Sequence, residues 1–372
     1  MNDQGYFPPP HGGTWETEVP QKAGFDAARL AEAVRYSQQH ETSWGRDFRA
    51  GVQEQMHEPA PYNTFLGPLR DRTGPNGLIL KGGRIIAEWG DTSRTDMTFS
   101  ITKSYLSTCA GLAVDDGLIP DLDAPVRELV DDGGFEPPHN HTITWRHLLQ
   151  QTSEWEGTLW DRPDWLDHNR AVGGGAGADP DKGKKRQLQK PGSFWEYNDI
   201  RVNRASLAVL RVWKRALPEV LAERIMRPIG ASTDWEWHGY SNSKVTIDGR
   251  EISSVSGGGH WGGGMFIGSR DHARMGLLML RRGQWAGRRL LSESWIDQAV
   301  TPCAIQPGYG LMWWLNTVGG QSASAPRSAY FARGAGCHAI CVDPEHDMVA
   351  VVRWIDRAAV SGFFDRLMAA LH

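Results

Sequence analysis

Strand-forming runs stand at the two ends of this chain, and helix-forming runs fill the middle. The first is Gly77-Leu78-Ile79-Leu80-Lys81-Gly82-Gly83-Arg84-Ile85-Ile86-Ala87-Glu88-Trp89, two apolar stretches around Lys-Gly-Gly. That pattern predicts a hairpin. The last stretch alternates strands with turns: Leu311–Leu315, Tyr330–Arg333, His338–Val342 and Met348–Trp354. Helical spacing predicts helices over Phe25–Gln38, Ile101–Val114, Arg146–Gln151, Val202–Arg215, Val220–Met226, Arg270–Arg282 and Phe363–Leu371. Residues 1–20 read as an extended arm, 41–75 as irregular, and Gly173–Gly192 as a Gly-, Asp- and Lys-rich surface loop. No repeats occur. Strands at both ends with helices between suit an α+β fold carrying a helical insertion.

At 372 residues the chain suits one large or two interleaved domains. Its net charge of −4 offers no basic footprint, so nucleic acid is not an expected partner. No apolar run approaches the roughly 20 residues of a membrane helix. The start, Met1 to Pro10, lacks a basic and apolar leader pattern, and a cytoplasmic location is expected. The cysteines are Cys109, Cys303, Cys337 and Cys341, with no paired spacing among them. They read as reduced, small hydrophobic side chains. Tryptophan is unusually frequent, with 17 in all, nine of them between Trp145 and Trp261.

Ser100-Ile101-Thr102-Lys103 opens the best helix of the first half, in which Leu106, Cys109, Ala110 and Ala113 share a face. Residues three apart on a helix lie on one side. A lysine amine there can take the serine proton if desolvation or positive charge makes it easier to deprotonate. The spacing alone is not specific. Ser241-Asn242-Ser243-Lys244 repeats it, but in what reads as turn chemistry without a helix to align the pair. A surface N-cap and a solvated lysine would also satisfy the motif at Ser100.

Two further elements favour chemistry. Pro191-Gly192-Ser193-Phe194-Trp195-Glu196-Tyr197-Asn198-Asp199 holds a tyrosine on a stiff loop before a helix. Its phenol can serve proton transfer. Phe331-Ala332-Arg333-Gly334-Ala335-Gly336-Cys337 is a strand stripped to small residues, which lets a substrate approach and can offer an N–H to an oxyanion. Taken singly, a core tyrosine and a bulge are the plainer readings.

In this order the pieces resemble the penicillin-recognising serine hydrolases. That family includes class C β-lactamases, D-alanyl-D-alanine carboxypeptidases, family VIII carboxylesterases and nylon-oligomer hydrolases. The resemblance spans roughly residues 75–370. It includes Thr142 to Ser153, and Gly262-Gly263-Gly264-Met265 followed by Ser269 to Gly276. It implies an antiparallel sheet flanked by helices, residues 1–98 with 255–372, and a mostly helical domain, 99–254, with the active site in the cleft between. It implies Ser100 as nucleophile, Lys103 as its partner base, and Tyr197 as the tyrosine of the Tyr-x-Asn element. The backbone N–H groups of Ser100 and Cys337 match the oxyanion hole. No cofactor and no metal are implied.

The chain departs from the family pattern twice. Asp199 stands where the family usually has Asn, and an acid there disfavours anionic substrates and can hold Lys103 protonated or positioned. Gly334-Ala335-Gly336 replaces Lys-Thr-Gly or His-x-Gly, so the usual carboxylate grip is missing; Arg333 precedes it, but strand alternation can aim it elsewhere. A serine hydrolase acting on a small neutral or aromatic ester or amide is therefore expected. The competing readings are β-lactamase or peptidase activity, acyl transfer, and a non-catalytic binding protein on the same fold. Asp199, Trp155, Trp160, Trp261 and Gly336 are the candidate substrate contacts, with Gly173–Gly192 a candidate lid. His139, His141 and His147 with Glu136 show no metal-site spacing.

Overall fold

The computed structural model describes residues 5–49, 58–172 and 180–372. Residues 173–179 of the candidate lid lie outside the described residues. Six strands form the main sheet, in the order Trp314–Leu315, Tyr330–Gly334, His338–Asp343, Met348–Arg353, Asn76–Lys81, Arg84–Trp89. Every neighbouring pair is antiparallel. The two ends of the chain meet where Asn76 pairs with Arg353 and Lys81 with Met348.

Both faces of this sheet are covered, which is why its central strands are apolar at nearly every position. Alternate residues go to opposite sides. Leu78, Leu80, Ile340, Val342, Val349 and Val351 join the larger core with helices Thr102–Asp115 and Ser269–Leu280. Ile79, Ala339, Cys341, Ala350 and Val352 face the other way, against helices Ala27–Gln39 and Val360–Ala369. The expected α+β architecture is therefore present, with an antiparallel sheet and flanking helices.

Thr102–Asp115 is more deeply set than its one apolar stripe suggests. Every residue from Thr102 to Ala113 is buried. Two of its buried hydroxyls find backbone acceptors: Ser104 donates to Met312 O at 2.9 Å and Thr108 to Ser104 O at 3.0 Å. The predicted Val202–Arg215 helix begins earlier, at Asp199, because the Asn198 side chain caps it, accepting from the N–H groups of Ile200 and Arg201.

The sequence pattern misled in three places. Leu311–Leu315 is a strand only over Trp314–Leu315, since Met312 adopts a left-handed φ of +62° that breaks the extended run. Ser241–Lys244 is not a turn but part of a long strand, Glu236–Ile247, whose register slips between Gly239 and Lys244. Helix Glu293–Ala299, capped by Ser292 through Trp295 N–H at 3.0 Å, was not anticipated. No helix among the described residues is long and apolar enough to cross a membrane.

A second, four-stranded sheet joins Asp96–Met97, Gly264–Ile267, Glu236–Ile247 and Arg250–Val255. Buried Arg353 ties it to the main sheet, donating to Ile267 O at 2.6 Å, Asp96 O at 3.0 Å and Met97 O at 2.9 Å. Hydrogen bonds from a charged donor at buried sites are among the stronger ones. Arg353→Met should therefore cost about 3 kcal/mol or more of stability. This would show as a lower urea midpoint at unchanged slope; an unshifted midpoint would exclude the tie.

Candidate active site

Ser100 sits in a short 3-10 turn, Phe99–Ile101, that runs directly into helix Thr102–Asp115. The turn is held from several sides. Phe99 adopts φ +49°, an uncommon conformation for a bulky residue. Its ring packs against Trp44 and Phe48. Thr98 N–H donates to Met265 O at 2.9 Å. The Thr98 hydroxyl meets His272 Nε2 at 2.8 Å, and His272 Nδ1 meets Tyr105 OH at 2.9 Å. Burial keeps His272 neutral, its pKa well below the ordinary histidine range.

The helix then brings Lys103 beneath the serine, as the three-residue spacing predicts. Lys103 Nζ donates to Ser100 Oγ at 2.8 Å. Only 1% of the lysine side chain is exposed, so its charge needs a partner. Asp199 Oδ1 supplies it at 2.5 Å, from the first turn of helix Asp199–Trp213. The other oxygen, Oδ2, accepts from Arg170 Nη1 at 2.6 Å and lies 3.6 Å from His260 Nδ1. The backbone N–H of Asp199 donates to Asp167 Oδ2 at 2.7 Å, and Asp167 also pairs with Arg170 at 3.3 Å.

These contacts decide the charge on Lys103. Burial by itself favours loss of its proton, but the Asp199 carboxylate outweighs burial and raises the Lys103 pKa above the ordinary lysine value. Burial likewise favours neutral Asp199, yet Lys103 and Arg170 hold that carboxyl far below the usual carboxylate range. Of the two influences open from the sequence, desolvation easing deprotonation and an acid at 199 holding Lys103 protonated, the second prevails. Gly258 makes room for the pair, since a Cβ there would lie 2.1 Å from Asp199 Oδ1 and 2.5 Å from Lys103 Nζ.

Tyr197 is buried beside them, its ring centroid 4.6 Å from Lys103 Nζ and 5.4 Å from the Arg170 guanidinium. Trp314 stacks on it at 5.5 Å and 28°, with Trp195 and Tyr309 packed alongside. The Gly334–Cys337 segment closes the other side. A Cβ on Gly334 would lie 2.3 Å from Thr98 O and 3.4 Å from Ser100 N, so only glycine lets this strand end reach the serine turn. Cys337 has φ +57° and its side chain packs in the core on the far face of the sheet. Burial pushes its thiol pKa up. Arg333 is also turned away, donating to Gln321 O at 2.6 Å with its guanidinium over Phe331 and Phe364.

The other candidate contacts are dispersed. Trp155 is a core residue whose Nε1 donates to Gly134 O at 2.6 Å. Trp261 is fully buried behind His260, its Nε1 donating to Tyr62 O at 3.0 Å. Trp160 is half-buried, edge-on to Tyr240. Gly336 has φ +72° and abuts Trp354 and His338. Asp199 is engaged with Lys103 and Arg170. The sequence reading missed Arg170, Asp167, His260 and Trp314. The one available signal was Asp199 itself, because a buried acid demands cations from somewhere.

His139 bonds Glu154 O, and His147 accepts from Thr144 N–H as part of a helix cap. The donor group among the described residues that could hold a metal ion is instead Glu58, Asp167 and His260, whose donor atoms lie within 4.8 Å of one another. The Lys182 ammonium contacts both carboxylates there, 3.3 Å from Asp167 and hydrogen-bonded to Glu58. It already provides the compensating positive charge.

Comparison with known proteins finds relatives in sequence and in fold. Residues 70–356 match the beta-lactamase family model. The 6-aminohexanoate-dimer hydrolase of Paenarthrobacter ureafaciens is 24% identical over 300 residues, covering 74% of this chain and 70% of that protein. A penicillin-binding protein homologue from Caulobacter crescentus superposes with a TM-score of 0.59 at 16% identity, covering 94% and 99% of the two chains. EstCE1, a hydrolase with promiscuous acyltransferase activity, gives 0.57 at 16% identity, covering 92% and 98%. At that identity the two structures speak for the fold alone.

The Gly334 contact yields a direct test. Gly334→Ala must displace the turn carrying Ser100. A displacement of about 1 Å is expected to slow fluorophosphonate labelling of Ser100 by about 10²-fold. Circular dichroism should show the fold retained, and labelling at the parental rate would contradict the close approach.

Proposed function

The chain belongs to the beta-lactamase family of serine hydrolases, and on that premise we propose that Ser100 is its acyl-accepting nucleophile, cleaving small neutral or aromatic esters or amides. The observation that carries this reading is the 2.8 Å contact between Lys103 Nζ and Ser100 Oγ, both at the entry of a buried helix. The active site is then the cleft where the helical part meets the end of strand Tyr330–Gly334. Lys103, in its neutral form and with Tyr197, takes the proton as Ser100 Oγ bonds to the substrate carbonyl carbon. The backbone N–H groups of Ser100 and Cys337 stabilise the resulting oxyanion. Tyr197 returns a proton to the leaving alcohol or amine as the carbonyl re-forms. Water then repeats the sequence on the acyl-enzyme and releases the acid.

The choice of substrate rests on charge. Lys103 and Arg170 are both engaged with Asp199, and Arg333 faces the opposite side of the sheet. A substrate carboxylate would meet Asp199 without a side chain in the Gly334–Gly336 slot to grip it. That disfavours β-lactams and cell-wall peptides. The likeness to a 6-aminohexanoate-dimer hydrolase adds support for cleavage of an amide or ester bond.

Ser100→Ala should lower hydrolysis of p-nitrophenyl esters by at least about 10³-fold while leaving the fold unchanged. Parental turnover in that variant would sink the assignment. A panel of aromatic esters, linear amides and nitrocefin should rank nitrocefin last.

A pH dependence follows from Lys103. The active form is the neutral amine, and Asp199 favours the charged one, so the amine is scarce at neutral pH. The value of kcat/KM for an ester should climb about tenfold per pH unit from pH 7 and reach no plateau below about pH 10. Asp199→Asn removes the carboxylate, and burial and the Arg170 charge then both favour the neutral amine, so its plateau should arrive at lower pH. An unmoved profile in that variant would show that Lys103 is not the group titrating.

A further inference from the structure

The two oxygens of Asp199 are divided between two cations from different parts of the chain. Lys103, on helix Thr102–Asp115, takes Oδ1; Arg170, following the 3-10 turn Asp164–Asp167, takes Oδ2. Resting on the nucleophile reading above, we propose that Arg170 is a positioning residue of this site: by holding the second oxygen of Asp199 it aims the first at Lys103, and its charge limits how firmly Lys103 keeps its proton.

Geometry supports the aiming role. Arg170 Nη1 reaches both Asp199 Oδ2 at 2.6 Å and Asp167 Oδ2 at 3.3 Å. That same Asp167 oxygen accepts the backbone N–H of Asp199 at 2.7 Å. The Asp199 main chain and carboxylate are thus held by one linked pair, Asp167 and Arg170. Without Arg170, the Oδ2 atom keeps only the more distant His260 Nδ1 at 3.6 Å among the described residues.

Charge supports the second role. An isolated buried Lys–Asp pair would keep the proton on lysine, because each charge stabilises the other. Arg170 adds a positive charge on the far side of Asp199, opposing the ammonium, and the sign of its effect on Lys103 is to ease deprotonation. The groups facing the pair are Ser100, Tyr197, Arg170 and His260, with Asp167 behind Arg170. Arg170 itself stays charged throughout, its own pKa raised further by the two aspartates against the effect of burial. A shift of the profile between pH 8 and 11 would therefore not be the titration of Arg170.

The test measures the rate of Ser100 labelling by a fluorophosphonate probe from pH 7 to 11 in the full chain. Arg170→Met should move the rising limb to higher pH by about one unit, about a tenfold slower rate at pH 8. Arg170→Lys should restore the limb. Arg170→Gln keeps a hydrogen-bond donor without the charge, so it should also move the limb upward; it carries the test if the methionine variant does not fold. A limb at the wild-type pH in the uncharged variants overturns the inference, whether the rate falls uniformly, as a merely structural role requires, or stays the same. Absence of labelling at Ser100 in the wild type overturns the nucleophile assignment and this inference together. Labelling with an unmoved limb overturns this inference alone.

Discussion

An ammonium group with 1% of its side chain exposed cannot stand alone in a protein interior. Burying Lys103 obliges the fold to deliver a carboxylate to it, and Asp199 is that carboxylate. Burying Asp199 in turn obliges a further cation, and Arg170 pairs with its second oxygen. The charges continue outward through Asp167, Lys182 and Glu58 until they balance. The site is best understood as this chain of compensations, with the Lys103–Ser100 contact at its end. Removing one member leaves a buried charge short of its partner, which costs about 3–5 kcal/mol where the pair is fully buried.

The frame around the network comes from sheet closure. Pairing of Asn76–Lys81 with Met348–Arg353 joins the chain's two ends. That closure fixes strand Tyr330–Gly334 beside the Ser100 turn, and glycine at 334 permits the approach. Arg353 locks the second sheet to the first by bonding carbonyls of Asp96, Met97 and Ile267, the first two just before the Ser100 turn. The serine is therefore held from behind by the frame and from below by its own helix, while the chemistry faces the helical part of the fold.

Some of this was legible in the residues and some was not. The Gly77–Trp89 hairpin and the helix behind Ser100 declared themselves through local periodicity and turn chemistry. Ser241–Lys244 was read as a turn because Gly, Asn and Ser favour one, yet long-range pairing stretched it into a strand. Trp155 and Trp261 were drawn toward the cleft because tryptophans cluster there in sequence. They lie in the interior, where a large indole has most apolar surface to bury. Trp314, distant in sequence, is the one that stacks on Tyr197.

The sequence by itself determined that Ser100 and Lys103 share a helix face, because a three-residue separation on a helix is a matter of local backbone geometry. It also determined that strand-forming runs stand at both chain ends with helix-forming runs between, because local hydrophobic periodicity sets that pattern. Only the tertiary structure decided the protonation preference of Lys103. That preference depends on Asp199, 96 positions away, and on Arg170 behind it. Electrostatic energy depends on distance and burial, and neither can be read along the chain.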